Sequence, residues 1–145
     1  MQQLTAQDFE SMLQDYGWSY EKVDEQQWHT GFQGGQRYFP LSIRLSQTCV
    51  SFEVRPLIDL LVDSPRDHGL SRELLELNSR LQLAKIAVSE LGEVSLSCQV
   101  LTNNFGLETL GRVLGILGYY ADEIAPEIYE KLATGGLDDI PTMLS

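Results

Sequence analysis

Side chains that build metal centres and disulfide frameworks are scarce in this chain. Its 145 residues include two cysteines, Cys49 and Cys98, and two histidines, His29 and His68. A structural zinc site needs about four such ligands at close spacing, and a disulfide-stapled domain needs several pairs of cysteines. We therefore predict no metal and no cofactor, and we interpret the two histidines as surface residues.

Basic residues are also few. The chain has 10 Lys and Arg against 21 Asp and Glu, which gives a net charge of −11. A protein with that charge repels nucleic acid phosphates and anionic lipids unless its basic residues cluster. Here they are scattered, and the densest region holds only Arg66, Arg72, Arg80 and Lys85. We expect no nucleic acid partner, and we interpret the acidic surface mainly as a solvated one.

Long apolar runs are absent. No stretch approaches the roughly 20 apolar residues that span a bilayer. The first residues, MQQLTAQDFE, contain neither the basic segment nor the apolar segment of a signal peptide. We therefore expect a cytoplasmic protein that does not insert into membranes.

Side-chain combinations that carry catalysis are missing as well. No activating base is evident near either cysteine, and strand alternation places Cys98 inward and Cys49 outward, so the two thiols cannot bridge. Gly34-Gly35 lacks the Lys and Ser/Thr of a phosphate loop, and it favours a two-residue hairpin turn with positive φ at both glycines. Acidic pairs such as Asp122-Glu123 do not share a helix face. The sequence predicts a protein that is not an enzyme.

The periodicity of the first half predicts one helix and four strands. Thr5 and Asp8 form a capping box, and Gly17 is placed to end that helix in a left-handed conformation. Alternating apolar residues then predict strands at 18–23, 28–32, 37–46 and 48–55, with Phe39, Leu41, Ile43, Leu45, Val50, Phe52 and Val54 facing inward. Pro56 is expected to end the fourth strand.

Ser71–Leu101 changes from a helical to an alternating pattern. Its leucines recur at helical spacing after a Ser71 N-cap, and apolar residues then alternate on both sides of a turn at Leu91-Gly92-Glu93. This pattern predicts a helix followed by a β-hairpin. A last helix, capped by Asn103-Asn104 and kinked or restarted at Pro126, follows and reaches Gly135-Gly136.

These elements predict an α+β fold. We expect a single domain over residues 1–136, with an antiparallel sheet, helices packed on one face and the order α-β-β-β-β-α-β-β-α. Residues 137–145 are expected to form a flexible C-terminal tail.

The segment LLELNSRLQLAKIAVSELGEVSLSCQVL resembles the signature of YbjN-domain proteins. In that family a leucine-rich helix carries an Asn, here Asn78, and a hairpin turns through a Gly, here Gly92; a long helix with an Ala-Pro such as Ala125-Pro126 follows. The resemblance implies the Tir-chaperone-like fold of type III secretion chaperones, which are small, acidic, cytoplasmic and commonly dimeric. It also implies that Asn78 is a structural residue that bonds to nearby backbone.

We therefore predict a non-enzymatic protein-binding module, chaperone-like or regulatory, that forms a homodimer. The candidate partner contacts are Trp28, Phe32, Leu57, Ile58, Leu60 and Leu61. An alternative interpretation is that the apolar stretch 57–62 caps the core. The glycine stripe of Gly111, Gly115 and Gly118 permits either tight packing on the sheet or self-association. An alternative function is that of a small-molecule sensor with a pocket between sheet and helices.

Overall fold

A computed structural model describes residues 3–59, 68–90 and 92–144, together with the side chains of all but 59, 68–70 and 131–144 among them. It contains three helices and six strands in the predicted order. These are α1 (Ala6–Tyr16), β1 (Glu21–Asp24), β2 (Gln27–Gln33), β3 (Tyr38–Leu45), β4 (Cys49–Asp59), α2 (His68–Asn78), β5 (Ala84–Val88), β6 (Glu93–Leu101) and α3 (Leu107–Leu144).

The first helix has the ends that its sequence predicts. The Thr5 hydroxyl accepts a hydrogen bond from the Asp8 amide at 3.0 Å, and the Asp8 carboxylate accepts one from the Thr5 amide at 3.5 Å. Gly17 ends the helix at a φ of 87°, a conformation that costs glycine little. The inner face of α1 buries Phe9 and Leu13 completely.

The six strands form one antiparallel sheet in the order β1-β2-β3-β4-β6-β5. The predicted α+β fold, with its single domain and helices on one face, is confirmed. The turn between β2 and β3 differs from the prediction: Gln33 pairs with Tyr38, so the loop has four residues. The Gly34 amide donates to the Arg37 carbonyl across this loop at 2.7 Å, and neither Gly34 nor Gly35 has a positive φ.

The fourth strand does not end at Pro56, as the sequence suggested. It continues to Asp59 because the register with β6 shifts between Val54 and Ile58, which accommodates a proline without a ladder hydrogen bond. Leu57 and Ile58 follow the shift and are completely buried. For these two residues the core-capping interpretation is confirmed, whereas residues 60–67 lie outside the described part of the chain.

The segment around α2 forms the predicted helix and hairpin. The helix starts earlier than predicted, at His68, so Ser71 lies inside it and is not its N-cap. Strands β5 and β6 pair from Ala84↔Cys98 to Val88↔Val94, and Gly92 adopts a φ of 87° in the turn between them.

The last helix begins at Leu107, so Asn103-Asn104 precede it and are not its N-cap, as the sequence suggested they would be. Asn104 has a left-handed φ of 59° in the preceding turn. Pro126 lies within α3, whose backbone is helical to Leu144 and therefore passes Gly135-Gly136. The flexible tail at 137–145 remains a prediction.

The core lies between the sheet and the layer formed by α1 and α3. Phe9 of α1 is its centre: the Phe9 ring lies 5.0 Å from Trp28, 6.3 Å from Phe52 and 5.8 Å from Phe105, between ring centroids. Aromatic pairs at these separations contribute beyond the area they bury. Phe105, which follows β6, was not recognised as a core residue in the sequence.

Candidate protein-binding site

One edge of the sheet is incompletely covered. Strand β1 pairs with β2 only from Asp24↔Gln27 to Glu21↔His29, although β2 continues to Gln33. Within the described ranges, no strand pairs with the outer side of residues 31–33. The Thr30 hydroxyl donates to the Ser19 carbonyl at 2.6 Å, so residues 18–20 lie beside this segment without forming a ladder with it. The backbone groups of residues 31–33 that no strand uses can accept another strand. We call residues 31–33 the open edge.

The register shows which backbone groups point outward at the open edge. The Gly34 amide donates to Arg37, and the Leu45 amide donates to the Gln26 carbonyl at 2.9 Å. Hydrogen-bonded and non-bonded pairs alternate between antiparallel strands, so Phe32 bonds to β3 while Gly31 and Gln33 present their N–H and C=O groups to the outside.

Aromatic side chains lie beside the open edge. The Phe32 ring packs 6.1 Å from Trp18 and 5.4 Å from Phe39, and Tyr16 lies 6.2 Å from Trp18. Phe32 and Trp18 are half-buried, and Tyr16 is exposed. The edge thus combines free backbone groups with a partly accessible aromatic surface.

Because Gly31 has no side chain, the Tyr38 side chain can pack across the strand at this position. A Cβ atom at Gly31 would overlap the Tyr38 ring and hydroxyl and would lie 2.8 Å from the Phe39 carbonyl oxygen. An aromatic ring that covers a strand glycine restores packing that the glycine lacks.

The β2–β3 hairpin next to the open edge is held on α3. The Gly35 amide donates to the Asp122 carboxylate at 2.8 Å, and the Arg37 guanidinium donates to the Tyr129 hydroxyl at 2.6 Å. The guanidinium also lies 5.4 Å and 5.7 Å from the ring centroids of Phe39 and Tyr129. We call these contacts the hairpin latch.

The opposite edge of the sheet, β5, is closed by a side chain. The Asn78 amide nitrogen donates to the Ile86 carbonyl at 3.0 Å, and its oxygen accepts from the Ile86 amide at 2.6 Å. Asn78 therefore bonds to backbone as expected, and its partner is the central residue of the next strand.

A third surface is an apolar groove of about 730 Å³ between β6 and α3. Its lining includes Val100, Leu101, Ile116 and Tyr119, with Leu83 at one side and Arg112 among the polar residues. Leu83, Leu101 and Tyr119 are mostly exposed. The volume lies within the range of small-molecule sites.

The predicted partner contacts occupy different environments. Trp28 is completely buried, with its indole N–H 3.4 Å from a Glu10 carboxylate oxygen, and Leu57 and Ile58 belong to the core. These three have no surface for a partner in this structure. Of the four candidates that the structure describes, Phe32 alone is partly exposed, at the open edge; Leu60 and Leu61 lie outside the described residues.

The predicted glycine stripe lies on the side of α3 that approaches α1 and β2. A Cβ atom at Gly111 would lie 3.3 Å from the Tyr16 ring, and one at Gly118 would lie 3.9 Å from the Phe32 ring. Gly115 is exposed and reaches the groove. Two of the three glycines therefore support packing within the chain, and self-association through the stripe remains a prediction.

Cys98 is buried and Cys49 is partly exposed, as the alternation predicted, and both are free thiols. Burial raises the pKa of the Cys98 thiol above its ordinary value, which disfavours the reactive thiolate. In the described part of the chain, no three His, Cys, Asp or Glu side chains are grouped as metal ligands would be. Nor does any helix there have the length and apolar character of a membrane span.

Sequence reasoning missed the open edge and the hairpin latch. The backbone of Gly31 and Gln33 carries no side-chain signal, and the hairpin latch joins residues 87 and 92 positions apart. Asn78 was recognised through the family resemblance alone.

The chain has the fold of YbjN and of type III secretion chaperones. The E. coli YbjN crystal structure, described as a candidate transcription regulator, matches with a TM-score of 0.61 at 16% identity, covering 89% of this chain and 92% of that one. The heterodimeric ExoU-SpcU complex from the Pseudomonas aeruginosa type III secretion system gives a TM-score of 0.56 at 18% identity, covering 80% and 93%.

The Yersinia pestis type III secretion chaperone SycH, solved in complex with a stable fragment of YscM2, also matches. Its TM-score is 0.52 at 17% identity, and the match covers 77% of this chain and 92% of that one. No family model and no curated protein sequence matches the chain. Identities this low show a shared fold and do not show a shared function.

Proposed function

We propose that this protein is a non-enzymatic protein-binding module with a chaperone-like or regulatory role. The observation that carries the proposal is the open edge beside the aromatic residues Trp18 and Phe32. The solved neighbours SpcU and SycH, which are held in complexes with ExoU and with a YscM2 fragment, support it through their shared fold.

The partner segment is an extended strand. Strand addition uses the main chain of the peptide for affinity and alternate side chains for specificity. The outward groups of Gly31 and Gln33 supply the main-chain bonds, and the half-buried rings of Trp18 and Phe32 supply an apolar surface. The net charge of −11 favours a partner segment that carries basic residues.

A proline at the open edge tests this binding mode. Gln33 is exposed and its N–H points outward, so Gln33→Pro removes a donor needed by an added strand while leaving the β2–β3 ladder intact. Gln33→Ala keeps that N–H and is the matched control. The measurement is quantitative affinity purification from native lysate with all three proteins.

We expect a stoichiometric partner to co-purify with the wild type and with Gln33→Ala and to be lost with Gln33→Pro. A partner retained equally by all three proteins would contradict strand addition at this edge. Repeated failure to recover any stoichiometric partner with the wild type would count against protein binding itself.

A homodimer and a cytoplasmic location also belong to this proposal. The glycine stripe is largely filled by Tyr16 and Phe32, so its exposed member Gly115 is the position left for contact with a second copy. Light scattering at micromolar concentration tests the dimer, and a monomer mass would contradict it.

The groove between β6 and α3 supports a second candidate function, that of a small-molecule sensor. Its volume of about 730 Å³ and its apolar lining suit an apolar ligand. A thermal-shift screen tests this function, because a ligand that binds only the folded state raises the melting temperature. An Ile116→Trp variant, which fills the groove, is expected to abolish any such shift.

A further inference from the structure

We infer that Asn78 blocks the β5 edge against pairing with the β5 edge of a second copy of this chain. The side-chain amide both donates to and accepts from the backbone of Ile86, at 3.0 Å and 2.6 Å. A neighbouring strand would make the same two bonds to Ile86. Asn78 therefore occupies the position of one residue of an added strand.

The register of the β5–β6 hairpin shows that Ile86 faces the outer edge. The Ser89 amide donates to the Glu93 carbonyl at 2.9 Å, which makes 89↔93 a hydrogen-bonded pair. Alternation along the ladder then makes Ile86↔Leu96 a non-bonded pair, so the Ile86 backbone groups point away from β6. Ala84 and Val88 share that orientation.

A second copy fits this edge because β5 is nearly self-complementary about its centre. In an antiparallel pairing around a two-fold axis at Ile86, Ala84 of one copy lies opposite Val88 of the other, and all of these residues present outward backbone groups. The strand AKIAV has one charged residue, Lys85, in five. A short apolar edge of this kind associates unless something covers it.

The block acts at the only position that a symmetric pairing must use. Ile86 is the centre of a strand of five residues, so displacing the edge pairing by two residues would leave too few bonds to hold two copies. An exposed apolar side chain on the strand itself raises the tendency to associate, since Val88 is 44% exposed. With the β5 edge blocked, the β1–β2 end of the sheet, which includes the open edge, is the end left for strand pairing, and that consequence alone rests on the proposed function.

Hydrogen exchange on the wild-type protein tests the geometry first. If Asn78 holds the Ile86 amide, that amide exchanges slowly, like the ladder amides of Lys85 and Ala87, while those of Ala84 and Val88 exchange faster. An Ile86 amide that exchanges as fast as those of Ala84 and Val88 would overturn the inference.

Removing the amide tests the block itself. In Asn78→Ala the edge is open, and we expect the average mass in sedimentation to rise with concentration toward twice that of the wild type. Exchange of the Ile86 amide should quicken roughly thirtyfold in dilute solution. Gln82→Ala, which truncates an exposed amide in the following loop, should keep the wild-type mass.

A second substitution identifies the surface through which the copies associate. Asn78→Ala/Val88→Pro removes an outward N–H at the end of β5 without breaking the ladder to β6, and it should restore the wild-type mass. A folded Asn78→Ala protein with unchanged mass at all concentrations would contradict the block. So would an association that Val88→Pro does not reverse.

Asn78→Asp provides the same test if the alanine variant does not fold. The carboxylate keeps an acceptor for the Ile86 amide and loses the donor to the Ile86 carbonyl. Each copy then brings one carboxylate to the paired edge, and the two repel each other. We therefore expect a smaller rise in mass, which increases with salt because salt screens that repulsion. An unchanged mass at high salt would overturn the inference. None of these measurements requires a partner protein, so their outcome is independent of the affinity purification.

Discussion

The two edges of the sheet are finished in different ways. At β5, the Asn78 side chain supplies both hydrogen bonds that a neighbouring strand would make to Ile86. At β2, the neighbouring strand β1 stops at Glu21↔His29, and residues 31–33 carry no further strand in the described structure. The sheet thus has one edge protected at Ile86, and at the other end it has the short exposed edge strand β1 with the uncovered residues 31–33 beside it.

Unlike β5, the open edge has no side chain of the described residues bonded to its backbone, and its hairpin is held in place by contacts with a helix. The β2–β3 hairpin is held on α3 by the hairpin latch rather than by a neighbouring strand. Backbone groups at residues 31–33 can therefore stay accessible while the hairpin keeps its position. If the two edges differ in this way, equivalent substitutions at them should change the free energy of unfolding by unequal amounts.

The largest expected difference in stability between the two edges comes from truncating one side-chain amide at each of them. Asn78→Ala leaves the part-buried Ile86 N–H and C=O without their partner, and we expect it to lower the free energy of unfolding by about 2 kcal/mol. Gln33→Ala removes only an exposed local bond to the Gly34 carbonyl and should cost less than about 0.5 kcal/mol. Urea denaturation in dilute solution measures both. Equal losses at the two edges would break the comparison.

A smaller effect is expected at the hairpin that supports the open edge. Gly34→Ala places a Cβ atom against the Asp122 carboxylate and 2.6 Å from the Phe39 ring, and it should cost about 1–2 kcal/mol. Gly35→Ala meets only the Asp122 carboxylate oxygen, at 3.9 Å, and keeps the N–H that bonds to it. Thermal unfolding of the two variants checks this prediction. A Gly35 variant as unstable as the Gly34 variant would show that the close approach to Phe39 is unimportant.

The smallest effect is expected at the far end of the hairpin latch. Tyr129→Phe removes the hydroxyl that accepts from Arg37 but keeps the ring under the guanidinium, so we expect a loss of about 0.5 kcal/mol. Tyr119→Phe, on an exposed side of the same helix, is the control and should have no measurable effect. Chemical denaturation with both variants in one titration series can resolve the difference. Indistinguishable denaturation midpoints would show that the Arg37–Tyr129 hydrogen bond does not stabilise the hairpin.

Local signals were sufficient for most of the elements. The capping box at Thr5 and the left-handed Gly17 delimit α1 because caps depend on neighbours three or four residues away. The inward residues of β3 and β4 follow from alternation, since successive side chains in a strand face opposite sides. Cys98 and Cys49 were assigned to opposite faces on the same basis.

The wrong predictions share a physical cause. Pro56 stops a strand only if its N–H is needed by the ladder, and the register shift in β4 removes that need. Gly34 looked like half of a two-residue turn, whereas its lack of a side chain serves the approach of Phe39 and Asp122. Trp28 was predicted as a partner contact because it lies on a strand near an edge, and in the structure α1 covers it through Phe9. In each case a distant segment decided the outcome.

The sequence by itself determined the class of the fold, the order of its elements and the faces of its strands, because these depend on periodicity and on caps within a few residues. Only the tertiary structure decided which backbone groups stay unpaired. Asn78 and Ile86 meet because a helix end and a strand centre are brought together, and the open edge exists because β1 is shorter than β2. A hydrogen bond between distant segments depends on where the whole fold places them, and no local pattern encodes that position.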